Sequence, residues 1–440
     1  MRSFRKLLVV LALVPWACST KSPSSGFAPD DGTGGDGGGP SDGAIGPTGD
    51  GPSFNPSDTG TPSDCRVTDP NADQDKDGFT PNQGDCNDCD PNVNPGAIDV
   101  LHTPEAGPPT WGDEDCDGKP GDSAAACDTG LALGDLDPKN GAKAIELCQQ
   151  ATDADRKYGV LSAAYVRADG TPFANPALQV GIESSYGANV HVQGGQSMLA
   201  LSTGTARTIG QTGACNGISC QINATGTPPQ GFPQDDPACP PTKAIADDVA
   251  LELKIRVPTN ATGYSFSFKF YSFEFPDWVC DTKGYNDQFI ALVTPPPQGA
   301  YVPPGSAGGN ISFDGNKHPV SVNLGFFDVC DPGSPQRFAQ HCKTGDAAAC
   351  PALPNPYCPL GMNDLQGTGF DTWHTNVGPA GATRWLQTQA PAQGGSTITV
   401  RFAIWDAGNA QFDSTVLVDN FQWIATGAVP LGTQPVPSPK

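Results

Sequence analysis

Strict alternation marks the segment from Val249 to Val257: Val249, Leu251, Leu253, Ile255 and Val257 share one face, and Glu252, Lys254 and Arg256 share the other. A period of two with one apolar face predicts a half-buried antiparallel strand. In YSFSFKFYSFEF, Tyr264, Phe266, Phe268 and Phe270 alternate with Ser265, Ser267 and Lys269; the phase then slips, and Tyr271, Phe273 and Phe275 become the apolar set. A one-residue slip predicts a β-bulge. Further strands are predicted for NDQFIALV from Asn286, PVSVNLGFF from Pro319, TITVRFAIW from Thr397 and STVLVDNFQWI from Ser414, separated by Gly-, Pro- and Asn-rich segments. One helix is predicted, from the N-cap Asp137 and the first-turn Pro138 through Ala142, Ile145 and Leu147 to Cys148. The pattern predicts an all-β fold: a two-sheet antiparallel β-sandwich, jelly-roll-like, over 158–425, with long disulfide-stapled loops. A connecting segment over 124–157 carries the helix, and 426–440 are expected to form a disordered tail.

The N-terminal part departs from this pattern. Arg2, Arg5 and Lys6 precede an apolar run from Leu7 to Ala17 that is too short to span a bilayer, so 1–17 are expected to be a signal peptide. Ala17-Cys18 resembles the cleavage and lipidation site of bacterial lipoproteins, with Cys18 as the lipidated residue; Pro15 and Trp16 depart from that pattern, and a simple cleaved signal is the alternative. Setting Cys18 aside leaves 14 of the 15 cysteines, an even number suited to disulfides in an oxidising compartment. From Ser19 to Ser63, 12 Gly, 8 Ser and 7 Pro leave nothing with which to build a core, so 18–63 read as the lipidated cysteine and a disordered linker. As a flexible coil the linker would span roughly 40 Å. An outer-membrane or cell-surface lipoprotein is expected, otherwise a secreted protein.

Charge narrows the partners. The formal net charge is −23, and the zone from Asp64 to Asp122 supplies −12 of it through 15 acidic and 3 basic residues. This argues against nucleic acid and against any membrane contact beyond the lipid anchor, and favours cations. Within the acidic zone, Asp73, Asp75, Asp77 and Gly78 satisfy the D-x-D-x-D-G opening of a calcium loop, where alternating carboxylates converge on one hard cation. The twelfth position is Gly84 where an EF-hand has glutamate, which disfavours an EF-hand.

That loop, then GDCNDCDPNVNPGAIDV with Asp85, Asp88 and Asp90, then GDEDCDG with Asp113, Asp115 and Asp117, resembles the MopE-type metal-binding motif. The chain departs from it in an insertion between Val100 and Trp111 and in the extra Cys89. The family name suggests copper. The residues favour calcium: the zone has one histidine, His102, no methionine, and cysteines expected to be oxidised. A solvated acidic spacer held by disulfides is the third possibility.

Farther on, SFKFYSFEFPDWVC, YNDQFIALV, GNISFD, NKHPVSVN, GATRWLQTQAP and RFAIWDAGNAQFDSTVLVDNFQW resemble, in that order, the choice-of-anchor L domain. That family occurs on bacterial surface and secreted proteins. Glu274, Asn286, Asp287, Asp406 and Asp413 match its acidic positions, while Phe275 and Asn409 depart from it. These carboxylates end apolar strands, and on one rim they would bind calcium with Ser414 and backbone carbonyls; capping of turns is the alternative.

No nucleophile–histidine array accompanies His102, His191, His318, His341 or His374, and no phosphate-binding loop follows a strand. Catalysis is not expected, and a hydrolase using rim carboxylates is the rival reading. Trp278, Trp373, Trp385 and Trp405 are candidates for a sugar-stacking platform, against core or loop anchors. The sequence reading is a calcium-stabilised surface binding or adhesion module with a carbohydrate or protein ligand, with copper capture as a further alternative.

Overall fold

The computed structural model describes Cys65 and residues 67–104, 107–121, 127–220, 222, 224–235, 239–242, 244–323, 327–338, 358–372 and 378–436. The expected signal peptide, Cys18 and the linker lie outside the described residues, as do His341, Cys342, Cys350, Trp373 and His374.

The acidic zone has almost no apolar side chains with which to form a sheet, and its regular structure among the described residues is a 3-10 turn at Pro81–Gln83 and one small hairpin. Strands β1 (Leu101–His102) and β2 (Thr110–Trp111) pair antiparallel within the insertion noted above. Disulfides Cys65–Cys89 and Cys86–Cys116 cross-link the zone. Helix α1 (Pro138–Lys143) follows, with the Asp137 side chain accepting the Lys139 N–H as N-cap. It ends sooner than the apolar pattern suggested, since Glu146 takes a positive φ of 66° and turns the chain toward Cys148, which pairs with Cys127.

Alternation then governs the chain. Strands β3 (Gly159–Val166), β4 (Val180–Glu183), β5 (Ser185–Tyr186), β6 (Val190–His191), β7 (Met198–Ser202) and β8 (Ile245–Arg256) are followed by β9 (Gly263–Ser272), β10 (Gln288–Thr294), β11 (Gly309–Asn310) and β12 (Val320–Ser321). The last set is β13 (Gly381–Ala382), β14 (Leu386–Pro391), β15 (Thr397–Ala407), β16 (Ser414–Ile424) and β17 (Gly432–Pro435). One sheet has the order β11-β10-β15-β8-β3, with β12 also on β10; the other has the order β17-β14-β9-β16-β7-β4, with β13 also on β9. All pairings within these two sheets are antiparallel.

The two sheets pack face to face. Leu251, Leu253 and Ile255 of β8 and Phe402 of β15 meet Phe266, Phe268 and Phe270 of β9, with the Phe266 and Phe402 rings 5.0 Å apart, edge to face. This is the predicted two-sheet antiparallel sandwich.

Three strand-level expectations change, and so does the one about the tryptophans. The slip in β9 is not a bulge, because its pairing with β16 runs in register from Ser272 through Ser267. Tyr271 and Phe273 instead point to the outer face of the sheet, where Leu365 and Phe370 cover them; Phe273 and Phe370 stack at 4.6 Å. The bulge lies on the partner strand, between Asp419 and Gln422. PVSVNLGFF forms a strand only over Val320–Ser321. Within the expected disordered tail, β17 pairs with β14. Trp385 and Trp405 are buried rather than exposed, and Trp278 packs on Phe412 with centroids 4.2 Å apart, so they form no stacking platform.

The acidic zone is joined to the sandwich by specific bonds. Asn260 accepts the Ile98 N–H at 3.0 Å and donates to its carbonyl at 2.8 Å, and the Thr259 N–H donates to Gly96 at 2.9 Å. Arg156 donates to the Gly78 carbonyl at 2.5 Å.

Candidate cation sites and an inter-module groove

In the first acidic loop the aspartates cap loop N–H groups. Asp73 accepts from Lys76 at 2.7 Å on one oxygen and from Gly78 at 3.0 Å on the other, while Asp75 accepts from Asp77 at 3.2 Å and Asp77 from Phe79 at 2.7 Å through one oxygen each. Asp85 accepts from Asn87 at 2.8 Å and Asp88 from Gln74 at 2.9 Å. The second oxygens of Asp75, Asp77, Asp85 and Asp88 are buried and have no donor. Oxygens of Asp73, Asp75 and Asp88, and of Asp75, Asp77 and Asp85, lie within 4.8 Å of one another. Burial, followed by repulsion among these neighbours, pushes Asp75 up to about 6 and Asp77 up to about 7, and raises Asp85. An uncompensated cluster of this kind must either take up protons or hold a cation. Gly78, at φ 98°, makes the turn that a Cβ would strain.

The loop at Asp113–Gly118 repeats the backbone design. Asp113 accepts from Gly118 at 3.2 Å, Asp115 from Asp117 at 3.0 Å, and Asp117 from Lys119 at 2.7 Å. Lys76 and Cys116, at the same place in each loop, both take positive φ, 67° and 60°. Asp99 joins Asp113 and Asp115 in a group within 4.8 Å, a contribution the motif did not point to. This second group has no donorless buried oxygen among the described residues. The structure leaves Asp90 and Asp117 out of both groups: Asp90 caps Asn92 at 3.0 Å, and Asp117 faces Lys119 at 3.6 Å. His102 is bonded to Glu114 at 2.6 Å, so its ring serves that carboxylate. The grouped donors of the acidic zone are oxygens alone, which fits a hard cation and not copper.

The third group sits at one end of the sandwich, where strands of both sheets begin and end. Glu274 follows β9, Asp287 precedes β10, Asp406 lies near the end of β15, and Ser414 opens β16. Carboxylate oxygens of Glu274, Asp287 and Asp406 lie within 4.8 Å of one another, and the three residues are 1% exposed or less. Asp287 accepts from Ser414 Oγ at 2.6 Å and from the Ala407 N–H at 2.9 Å, while its own N–H donates to Glu274 at 3.2 Å.

Glu274 Oε1, both Asp406 oxygens and Asn286 Oδ1 have no donor. Burial first, and then mutual repulsion, holds Glu274 well above the carboxylate range; burial also raises Asp406, and pushes Asp287 up to about 7. Asp413 stands apart from this group. It accepts the Cys220 N–H at 2.7 Å beside Cys215 and Cys220, whose sulfurs are joined in a disulfide and are not metal ligands.

Sequence reasoning missed a fourth set of acids. Asp128 and Glu146 lie beneath Gly194 and Gly195, where an added Cβ would clash with their carboxyls, and Asp419 accepts the Gly194 N–H at 3.4 Å. Asp128 accepts from the N–H groups of Gln196 and Ser197, and Asp419 from that of Asn420 at 2.7 Å. Neither Glu146 oxygen has a donor; burial, then repulsion from Asp419, pushes Glu146 up to about 9. The signal was present as a lone aspartate, Asp419, within the apolar run STVLVDNF. Glu146 forms part of a groove of about 690 Å³ between the acidic zone and the sandwich, lined also by Trp111 and Trp423.

Among the described residues no helix is long and apolar enough to cross a membrane. The six disulfides among the described residues place folding outside the reducing cytosol. No protein-family profile, no curated protein and no solved structure matches this chain.

Proposed function

We propose that this chain is an exported, calcium-stabilised binding module, carried on the cell surface by a lipid at Cys18. The observation that supports it most is the set of donorless oxygens on Asp75, Asp77, Asp85 and Asp88, each on a carboxylate whose other oxygen is already committed to a loop N–H. One hard cation, held by these four residues and Asp73, would satisfy them together. Glu274, Asp287 and Asp406, with the Asn286 carbonyl, would hold a second ion that ties the ends of the two sheets. Both resemblances, to the MopE-type motif and to the choice-of-anchor L domain, accord with this reading.

The hydrolase reading of Glu274 and Asp287 has less support, because residues at 1% exposure or less leave no room for a glycosidic substrate. Copper capture has less support because the grouped donors lack free thiolate and imidazole.

Calorimetric titration of the mature chain with calcium and with copper, paired with thermal unfolding in chelator, tests the proposal. Calcium at 100-fold over its dissociation constant should add about 2.7 kcal/mol per site. Asp88→Asn and Asp406→Asn should each remove one binding event. A melting curve that is unchanged by chelator overturns the proposal.

A further inference from the structure

The groove between the acidic zone and the sandwich shares Asp99 and Asp115 with the second acidic group, and the rest of its lining is of another kind. Its volume of about 690 Å³ is that of a small-ligand site. The acidic zone contributes Trp111, 50% exposed and seated with its ring against Gly121, and the sandwich contributes Trp423, part of whose ring packs on Tyr264 and Phe421. Gln422 and Asn420 line it with amides, and the Glu146 carboxyl lies beneath them with its oxygens buried. Asp115 and Asp117 stand on the other wall, against a single lysine, Lys119.

We infer that this groove binds a glycan without acidic groups, stacking sugar rings on Trp111 and Trp423 and bonding hydroxyls to Gln422 and Asn420. Each element of that lining excludes a different competitor. Aspartates on one wall of a chain at net charge −23 repel polyanions. Exposed indole offers a flat apolar face with a polar edge, which suits the apolar face of a pyranose bordered by hydroxyls. Amides both donate and accept, as hydroxyls do. The inference rests on the binding-module reading and names the ligand class and the place.

The test uses the mature, calcium-loaded chain titrated with hexasaccharides of glucose, N-acetylglucosamine, mannose and xylose, followed by calorimetry and tryptophan fluorescence. Oligogalacturonate and hexalysine are the charged controls. At least one neutral hexasaccharide should bind, and Trp111→Ala should weaken it by about tenfold with the melting midpoint unchanged. Absence of binding across the neutral panel overturns the inference, as does binding that Trp111→Ala leaves intact. Trp111-dependent binding of oligogalacturonate or hexalysine overturns it in favour of a charged ligand. If the glycan arm fails while calcium still raises the melting midpoint, the groove inference alone falls; if calcium has no effect, the reading beneath it falls.

Discussion

The acidic zone and the sandwich solve the same problem with opposite means. Among the described residues between 67 and 121 the buried apolar side chains are Phe79, Ala97 and Ile98, whereas the sandwich interior interleaves Phe266, Phe268, Phe289 and Phe402 from two sheets. A segment that buries so little apolar surface cannot offset its chain entropy by the hydrophobic effect. It is ordered by two disulfides, by aspartates folded back on their own loop N–H groups, and by the bonds that Asn260 and Thr259 make to Ile98 and Gly96. The lesson is that carboxylates play different parts in the two settings. In the loop they shape the backbone, and Asp75, Asp77, Asp85 and Asp88 leave one oxygen over; in the sandwich they sit where strands of both sheets end, inside a core that would otherwise be apolar.

The contrast can be broken from either side. The largest effect is expected from Phe268→Ala, which empties a fully buried position between the sheets and should cost about 3–5 kcal/mol, read by denaturant unfolding of the β signal. If the acidic zone were a second hydrophobic unit, the corresponding Phe79→Ala would cost as much, and equal values would erase the distinction.

Next comes paired replacement of Cys86 and Cys116 by serine. Opening this cross-link should cost about 2–4 kcal/mol within the acidic zone and expose 67–121 to limited proteolysis, with the sandwich midpoint retained. Simultaneous loss of both regions would show one cooperative unit.

The smallest effect is expected from Glu146→Gln at pH 5. Burial raises Glu146 to about 9 and Asp419 to about 7, so the folded state holds protons that the unfolded chain releases near its ordinary carboxylate range. Stability from this pair is therefore complete below about pH 4 and declines as pH rises through 7 to 9. The glutamine variant should match the wild type at pH 5 and exceed it at pH 9, as thermal melts across that range would read. A parallel pH profile for the two proteins would place the proton elsewhere.

How much was legible in the sequence depends on which neighbour decides the structure. The alternation from Val249 to Val257 was readable because β8 has one face on the core and carries Glu252, Lys254 and Arg256 on the other. In β9 the same rule misled, since Leu365 and Phe370 arrive from a distant loop to bury the outer face, and a two-faced strand loses its alternation. The D-x-D-x-D-G loops announced themselves because their bonds are local, between residues two to five apart. Asp99, Asp128, Glu146 and Asp419 did not, because their grouping depends on tertiary packing. The strand ends at Glu274, Asp287 and Asp406 were recognisable as a rim, but not their depth, which loops set. Asp413 matched the same motif and yet faces the Cys215–Cys220 turn.

The overlapping cross-links of the acidic zone also set how it would carry a pull. Tension entering at Cys65 passes to Cys89 through a covalent bond, runs back along the chain to Cys86, and crosses a second covalent bond to Cys116. Without those bonds the chain from Cys65 to Cys116 would pay out about 170 Å when drawn straight, at ~3.4 Å per residue. With them, the only backbone on the route is the short span from Cys86 to Cys89. The carboxylate loop at Asp73–Asp85 hangs beside this route as a slack bight and only Asp88 of that acidic cluster lies on the loaded span, so the zone is a nearly inextensible coupling.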